Sequence, residues 1–546
     1  MTDTWTSLRT WRPTAMGKRG AVATNHPLAT QAGLAMLQRG GNAIDAYLAS
    51  ASTIGVVEPH MSGIGGEGFA LVYSAAEGKA TVVNASGRAP RSATSAHFRD
   101  GIPAQGAITA ITPSLVAGWC AIHARWGSLP FTTVLESAIY YAREGFGATW
   151  YLAGWAANQA KALAADPSTA AAFLPGGKLP TLGTTIRQPA LARTLEAIVA
   201  GGRDAFYEGD IAAEVARWMR ANGGLVDLQD LRECRAEFQE PISTTYRGIE
   251  VLESPPNSTG ATFLQELNVV EQFDLDSLAG GGRLPCDSPD LVHTFVEIKK
   301  LCFRDRERIA ELGDYTQLME ELLSKKYAAG LAAQVDPKRA VPRPIGPAPV
   351  ASDTTYLATA DGQGNAVSGI QSLSDGFGAA VVAGNTGILL NNRMRLFHTI
   401  PGHANELRAG RRVRHTLNPP MALRDGRPFM VFGTPGFDAQ LQVNLQVFSA
   451  MVDFGLDPQQ AVEMPRWQSM QPGTFATWPH DAPDRLDVED RVPDATRAEL
   501  ARRGHVVETV GSLEGPGSVN VLRYDTETGF WHAGADPRRD NTALAW

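Results

Sequence analysis

The stretch from Ser352 to Ser372 constrains this chain more than any other. It begins Ser-Asp-Thr-Thr-Tyr, passes through Asp361-Gly362-Gln363-Gly364-Asn365 and continues as Ala-Val-Ser-Gly-Ile-Gln-Ser. Two β-prone runs around a Gly/Asn/Asp turn predict a β-hairpin. A turn centred on Gln363 sets Ala360 opposite Ala366 and Thr354 opposite Ser372, so two hydroxyls meet across the ladder. A slip of one residue would separate them. Upstream, Val335 to Ala351 is Pro-rich, which resists helix and central strand and predicts an exposed, extended linker. A linker running into a strand that starts Asp-Thr-Thr is what a self-cleaving precursor needs. On spacing alone the plainer reading stands: an interdomain loop before a Thr-rich strand, Thr being common in strands.

Other segments add to this one. They are Gly40-Gly41-Asn42-Ala43-Ile44-Asp45-Ala46, the run from Val56 to Gly66, Asn385-Thr386-Gly387-Ile388-Leu389-Leu390-Asn391-Asn392, and Gly534-Ala535-Asp536-Pro537-Arg538-Arg539. With the Asp353–Ser372 hairpin they resemble the gamma-glutamyltransferase family in the same order, from about Gly20 to the C-terminus. The resemblance implies an α+β fold, the four-layer αββα sandwich of N-terminal nucleophile hydrolases. It implies one precursor cleaved between Asp353 and Thr354. The large subunit would be residues 1–353, ending in the linker 335–353, and the small subunit residues 354–546.

In such an enzyme the Thr354 hydroxyl acts twice. It first attacks the Asp353 carbonyl, and hydrolysis of the ester severs the chain. The freed α-amine, with a reference pKa of about 7.7–8.0, then serves as base in the mature enzyme. Ser372 stands where relatives carry a threonine supporting the nucleophile, with Ser374 as a nearby polar partner. An acyl-transfer site also needs oxyanion donors. Gly433-Thr434-Pro435-Gly436-Phe437 resembles the family turn with two consecutive glycines. Gly436 fits the first, and Phe437 replaces the second, keeping a backbone N–H but adding bulk.

The resemblance gives Arg88 the substrate carboxylate, a task suited to a planar guanidinium; read alone, Arg88 is a surface arginine after a strand. The recognition segment departs from the glutamyl pattern. Arg393 takes the first recognition place, Leu396 that of the aspartate binding the substrate ammonium, and His415 and Thr416 that of paired serines. Arg393 and Arg395 repel an ammonium and attract an anion. Arg408, Arg411, Arg412 and Arg414 add positive charge, or are solvent-facing loop residues.

The function expected is a self-processing amidohydrolase acting on a small anionic amide with a carboxylate and no α-amine, oxamate-like or glutaryl-type. Two other functions stay open: a genuine gamma-glutamyltransferase or glutathione hydrolase, and a non-catalytic binding protein left uncleaved. No metal or organic cofactor is implied. The expected partnership is a heterodimer of the two fragments, with a further dimer left open.

The remaining features bound the class. The 546 residues are 44% hydrophobic and 19% charged, enough for a large core. A net charge of -8 argues against a general nucleic-acid binder. Cys120, Cys234, Cys286 and Cys302 show neither zinc spacing nor a disulfide framework. Residues 1–20 lack the apolar core of a secretory signal, and no run is long enough to span a bilayer, so a cytoplasmic, membrane-free protein is expected.

Locally, the sequence predicts a strand over 20–25 and a helix over 27–38. A second helix, capped by Asn42, is expected to be apolar on one face. Gly63-Ile64-Gly65-Gly66-Glu67-Gly68 fits a dinucleotide fingerprint, but a helix precedes it and a strand follows, the reverse of what that motif requires. Close backbone packing explains the glycines better. A hairpin over 69–84, helices over 113–240, a strand over 249–252 and helices over 261–271 and 290–312 follow. The charged run from Lys299 to Arg308 is expected on a solvated face.

Overall fold

The computed structural model describes residues 10–282, 284–343, 353–471 and 484–546, with Asp353 described in its backbone only. Most of the linker, residues 344–352, lies outside the described residues. The hairpin forms as its turn chemistry requires: Asp353–Asp361 pairs antiparallel with Ala366–Ser374, and Ala360 faces Ala366. Asp361 holds the turn, its Oδ1 accepting from the amides of Gln363 and Asn365. At the other end the register differs from expectation. Asp353 pairs with Ser374 and Thr355 with Gln371, so the ladder shifts at Thr354. Such irregularities re-aim a side chain, and the Thr354 hydroxyl still reaches Ser372 Oγ at 3.3 Å.

This hairpin lies inside a seven-stranded antiparallel sheet ordered Thr542–Ala545, Gly20–Thr24, Asp353–Asp361, Ala366–Ser374, Glu67–Ser74, Lys79–Ala85, Glu237–Gln239. A second seven-stranded sheet runs Ala15–Gly17, Phe530–Ala535, Asn520–Asp525, Arg427–Gly433, Met421–Arg424, Ile249–Glu253, Ile242–Tyr246. Phe69, Leu71, Tyr356 and Ile370 of the first sheet pack with Leu252, Met421, Val431 and Trp531 of the second. Helices cover both outer faces. Pro27–Gln38, Ala43–Val57 and Leu115–Trp126 pack on the first sheet, and Gly260–Val270, Pro289–Arg306 and Ala439–Val452 on the second. The expected αββα sandwich is therefore present, and strands from both sides of Thr354 contribute to each sheet.

Local chemistry explains the best-defined elements. Pro27 starts its helix, and Asn42 caps the next by accepting from the amides of Ile44 and Asp45. That second helix is buried on every side rather than on one face, because it lies between the sheet and further helices. A Cβ on Gly65 would fall 2.0 Å from Leu389 O, and one on Gly66 would fall 2.3 Å from Ser372 O. The glycine run serves close packing, as its sequence context predicted. The four cysteines are free. Among the described residues no helix is long and apolar enough to cross a membrane.

The Lys299–Arg308 run corrects the expectation of a solvated face in part: Arg304 and Arg308 are exposed, but the rest of its charge is not. Lys299, Lys300, Asp305 and Arg306 are buried. Lys299 donates to Ser469 O at 2.8 Å, Lys300 to Glu297 at 3.0 Å, and Arg306 pairs with Asp438. The helix packs beside the helix Ala439–Val452 and the segment near Ser469, so these side chains turn inward toward polar partners.

Two buried carboxyls set the behaviour of this layer with pH. Burial raises both Glu253 and Glu266 from 4.5 to about 8; Lys299 and Arg306 offset part of the effect at Glu266. In the unfolded chain these groups ionise near 4.5, so between about 4.5 and 8 they favour unfolding increasingly as pH rises. Glu266→Gln is expected to flatten that slope and raise the melting temperature at pH 8 by about 2–4 °C. Thermal melts of wild type and variant at pH 5 and pH 8 check it.

Candidate active site

The strand Ala366–Ser374 pairs with Asp353–Asp361 on one side and with Glu67–Ser74 on the other. In the second pairing Ser372 faces Glu67. Ser372 thus sits between Thr354, whose hydroxyl donates to it, and a buried carboxylate. The Ser372 Oγ also accepts from the Ser374 amide at 2.8 Å, which fixes its rotamer.

Glu67 gathers the next group. Arg393 Nε donates to Glu67 Oε1 at 2.5 Å, and neither side chain is exposed. His415 Nε2 lies 3.0 Å from Glu67 Oε2, and the Gly87 amide donates to that same oxygen at 3.1 Å. Burial pushes the Glu67 carboxyl up, but His415 and Arg393 beside it outweigh that and bring it down to about 2. Burial lowers His415, with Glu67 opposing, and the ion pair with Arg393 keeps Glu67 charged. The two terminal amino groups of Arg393 have no hydrogen-bond partner among the described residues. Unmade hydrogen bonds of buried groups cost about 1–3 kcal/mol each.

The asparagine pair preceding Arg393 shapes this turn. Asn391 Nδ2 donates to Gly65 O at 2.8 Å, and its Oδ1 accepts the Arg393 amide at 3.2 Å. Asn392 Nδ2 donates to Ala104 O and to Asp375 Oδ2, both at 2.9 Å. Arg395 pairs with Asp375 as Arg393 pairs with Glu67, so both charges the sequence assigned to this segment have a carboxylate partner. One turn on, Leu396 lines a pocket of about 30 Å³ together with Thr416, Phe437, Asp438, Arg306 and Arg414.

The predicted oxyanion turn follows the strand Arg427–Gly433 and leads into the helix Ala439–Val452. It starts against the Asp353–Asp361 strand: a Cβ on Gly433 would fall 2.4 Å from the Tyr356 ring. Gly436 has φ +125° and Phe437 φ 58°. A positive φ is uncommon for a bulky residue and is held here by the neighbouring structure. The amides of both residues lie at the N-terminal end of a helix, where partial positive charge favours an oxyanion.

The structure brings Arg393 and His415 to Glu67, sets Glu67 opposite the Ser372 that contacts Thr354, and gathers Leu396, Thr416 and Phe437 around one pocket. It places Arg88 elsewhere. That guanidinium is half-exposed, pairs with Glu311 at 2.9 Å and Glu237 at 3.2 Å, and lines a separate cavity of about 250 Å³. Arg412 and Arg414 are buried: Arg412 pairs with Glu237 and Arg414 with Glu307. Glu67 was not singled out by sequence, although it is the one charged residue in the Gly63–Gly68 run.

Glu307, His398 and His403 bring ligand atoms within 4.8 Å of one another. Arg306 and Arg414 contact the same carboxylate at 3.3 and 3.1 Å. Two guanidiniums at that distance oppose a cation, so the donor set does not fit a metal. In the other such group, His293, Glu297 and His505, all three side chains are engaged with protein partners.

The gamma-glutamyltranspeptidase family model matches residues 29–546. The chain belongs to this family. A glutathione hydrolase-like proenzyme of Bacillus subtilis is 38% identical over 534 residues, covering 97% of this chain and 99% of that protein. An oxamate amidohydrolase proenzyme of Klebsiella pneumoniae is 32% identical over 541 residues, covering 96% and 98%. The crystal structure of a cephalosporin acylase from Bacillus halodurans superimposes with a TM-score of 0.89 at 34% identity, covering 100% of this chain and 99% of that one. The chain is thus a family enzyme of the amidohydrolase and acyltransferase kind, made as a self-processing proenzyme.

Glu67 predicts acid sensitivity. Its carboxyl is lower in the fold than the unfolded value of 4.5, so its stabilisation is full above about 4.5 and is lost as pH falls toward about 2. Circular dichroism between pH 5 and pH 2 is expected to show an acid transition whose slope is shallower in Glu67→Gln.

Proposed function

We propose that this protein is an amidohydrolase for a small amide bearing a carboxylate and no α-amine, acting through an acyl ester on Thr354. The observation carrying this reading is the pocket lining. Leu396 occupies the ammonium place, the guanidiniums of Arg306 and Arg414 line the pocket, and the lining carboxylate, Asp438, is tied to Arg306. An ammonium would find no free counter-ion in that lining. The pocket of about 30 Å³ has room for about two water-sized groups, which favours a short, oxamate-sized acyl unit over a glutaryl chain. The oxamate amidohydrolase among its relatives supports the same direction.

In the proposed mechanism cleavage at Asp353–Thr354 frees the Thr354 α-amine. That amine takes the hydroxyl proton as Thr354 Oγ attacks the amide carbonyl, and Ser372 orients the hydroxyl. The amides of the Gly436–Phe437 turn receive the oxyanion. The α-ammonium returns the proton to the leaving amine, and water then hydrolyses the ester. The fragments 1–353 and 354–546 stay together as a heterodimer because both sheets interleave their strands.

Release of one chromogenic amine from its glutaryl and its γ-glutamyl amide, beside ammonia release from oxamate, tests the reading. Wild type is expected to turn over oxamate or the glutaryl amide in preference to the γ-glutamyl amide. Leu396→Asp is expected to shift the ratio toward γ-glutamyl by about 10-fold. A wild-type preference for the γ-glutamyl amide would return the protein to the ordinary transferase function.

A further inference from the structure

We infer that Arg393 is the anchor for the substrate carboxylate, held in place by Glu67 and His415. The inference deepens the function proposed above and rests on it. Three observations carry it. The Arg393 guanidinium is fully buried, its Nε is committed to Glu67, and its two terminal amino groups have no partner among the described residues. A guanidinium gripped at Nε presents its remaining donors as a fork, and a carboxylate fills such a fork with two parallel hydrogen bonds.

Placement supports the assignment. Glu67 faces Ser372 across the ladder, and Ser372 accepts the Thr354 hydroxyl. On the other side, Arg393 opens the turn that carries Leu396 to the pocket, and His415 precedes Thr416 of the same lining. Through Glu67 on one side and Leu396 on the other, Arg393 is thus linked both to the Thr354–Ser372 pair and to the pocket lining. Arg88 is already occupied by two glutamates and the Gly410 carbonyl; at the buried Arg306 the unmatched donor is the single Nε, whereas Arg393 has both terminal amino groups unmatched among the described residues.

Glu67 acts through Arg393. It compensates the charge that burial would otherwise oppose and fixes the plane of the guanidinium. His415 Nε2, 3.0 Å from the second Glu67 oxygen, confines the carboxylate from the other side. Glu67 is thus a positioning residue, and Arg393 a binding one.

Calorimetric titration of purified, self-processed protein with oxamate and with glutarate tests this without relying on turnover. Wild type is expected to bind at least one of the two anions. Arg393→Met is expected to weaken that binding about 100-fold. Arg393→Lys keeps a charge without the fork and is expected to weaken it at least about 10-fold, which decides the matter if the Met variant does not fold or process. Glu67→Gln is expected to lose affinity, with Glu67→Asp recovering part of it, a rescue that general destabilisation would not produce. Wild-type affinity retained in either Arg393 variant, or no binding of either anion to wild type, overturns the anchor. A wild-type preference for γ-glutamyl amides together with Arg393-dependent glutarate binding would reject the amine-free substrate while keeping the anchor.

Discussion

The two-sided backbone pairing of the Ala366–Ser374 strand is the constraint the site depends on. One edge fixes Thr354 against Ser372, and the other sets Glu67 opposite the same serine. The pairing requires glycine at position 66, because a side chain there would meet the Ser372 carbonyl. It also crosses the expected cleavage point, so strands before and after Thr354 are locked into shared sheets. Cutting a chain built this way leaves the hydrogen-bonded ladders intact and exposes a new amino terminus inside a rigid frame.

Around that ladder, charge is arranged by burial rather than by number. Several arginines cluster near the site, but most are neutralised: Arg395 by Asp375, Arg88 and Arg412 by Glu237 and Glu311, Arg414 by Glu307. Arg393 differs because its one carboxylate partner occupies Nε and leaves its outer donors unmatched. In a low-dielectric interior that difference outweighs a count of positive residues along the sequence.

Much of this was legible in the sequence where local chemistry decides structure. The Asp361-to-Asn365 turn and the Asn42 cap specify their elements by short-range hydrogen bonding, Pro27 specifies a helix start by its fixed φ and missing N–H, and the Gly63–Gly68 run declared close packing. Three features were not legible. The register shift at Thr354 depends on how the hairpin edge meets its surroundings. The inward face of Lys299–Arg306 depends on polar partners more than a hundred residues away. The direction of Arg88 depends on Glu237 and Glu311 lying near it in space. Glu67 escaped notice for a related reason: a lone acid beside glycines carries no spacing signal, and its meaning comes from Arg393 and His415.

The central claim is that Thr354 becomes an amino-terminal nucleophile, and intact-mass analysis of catalytically active protein tests it most directly. The account predicts two species of about 38 and 21 kDa from the 58.4 kDa chain, the smaller beginning at Thr354, and a single full-length species for Thr354→Ala. A single species of 58.4 kDa in active wild-type protein would contradict it.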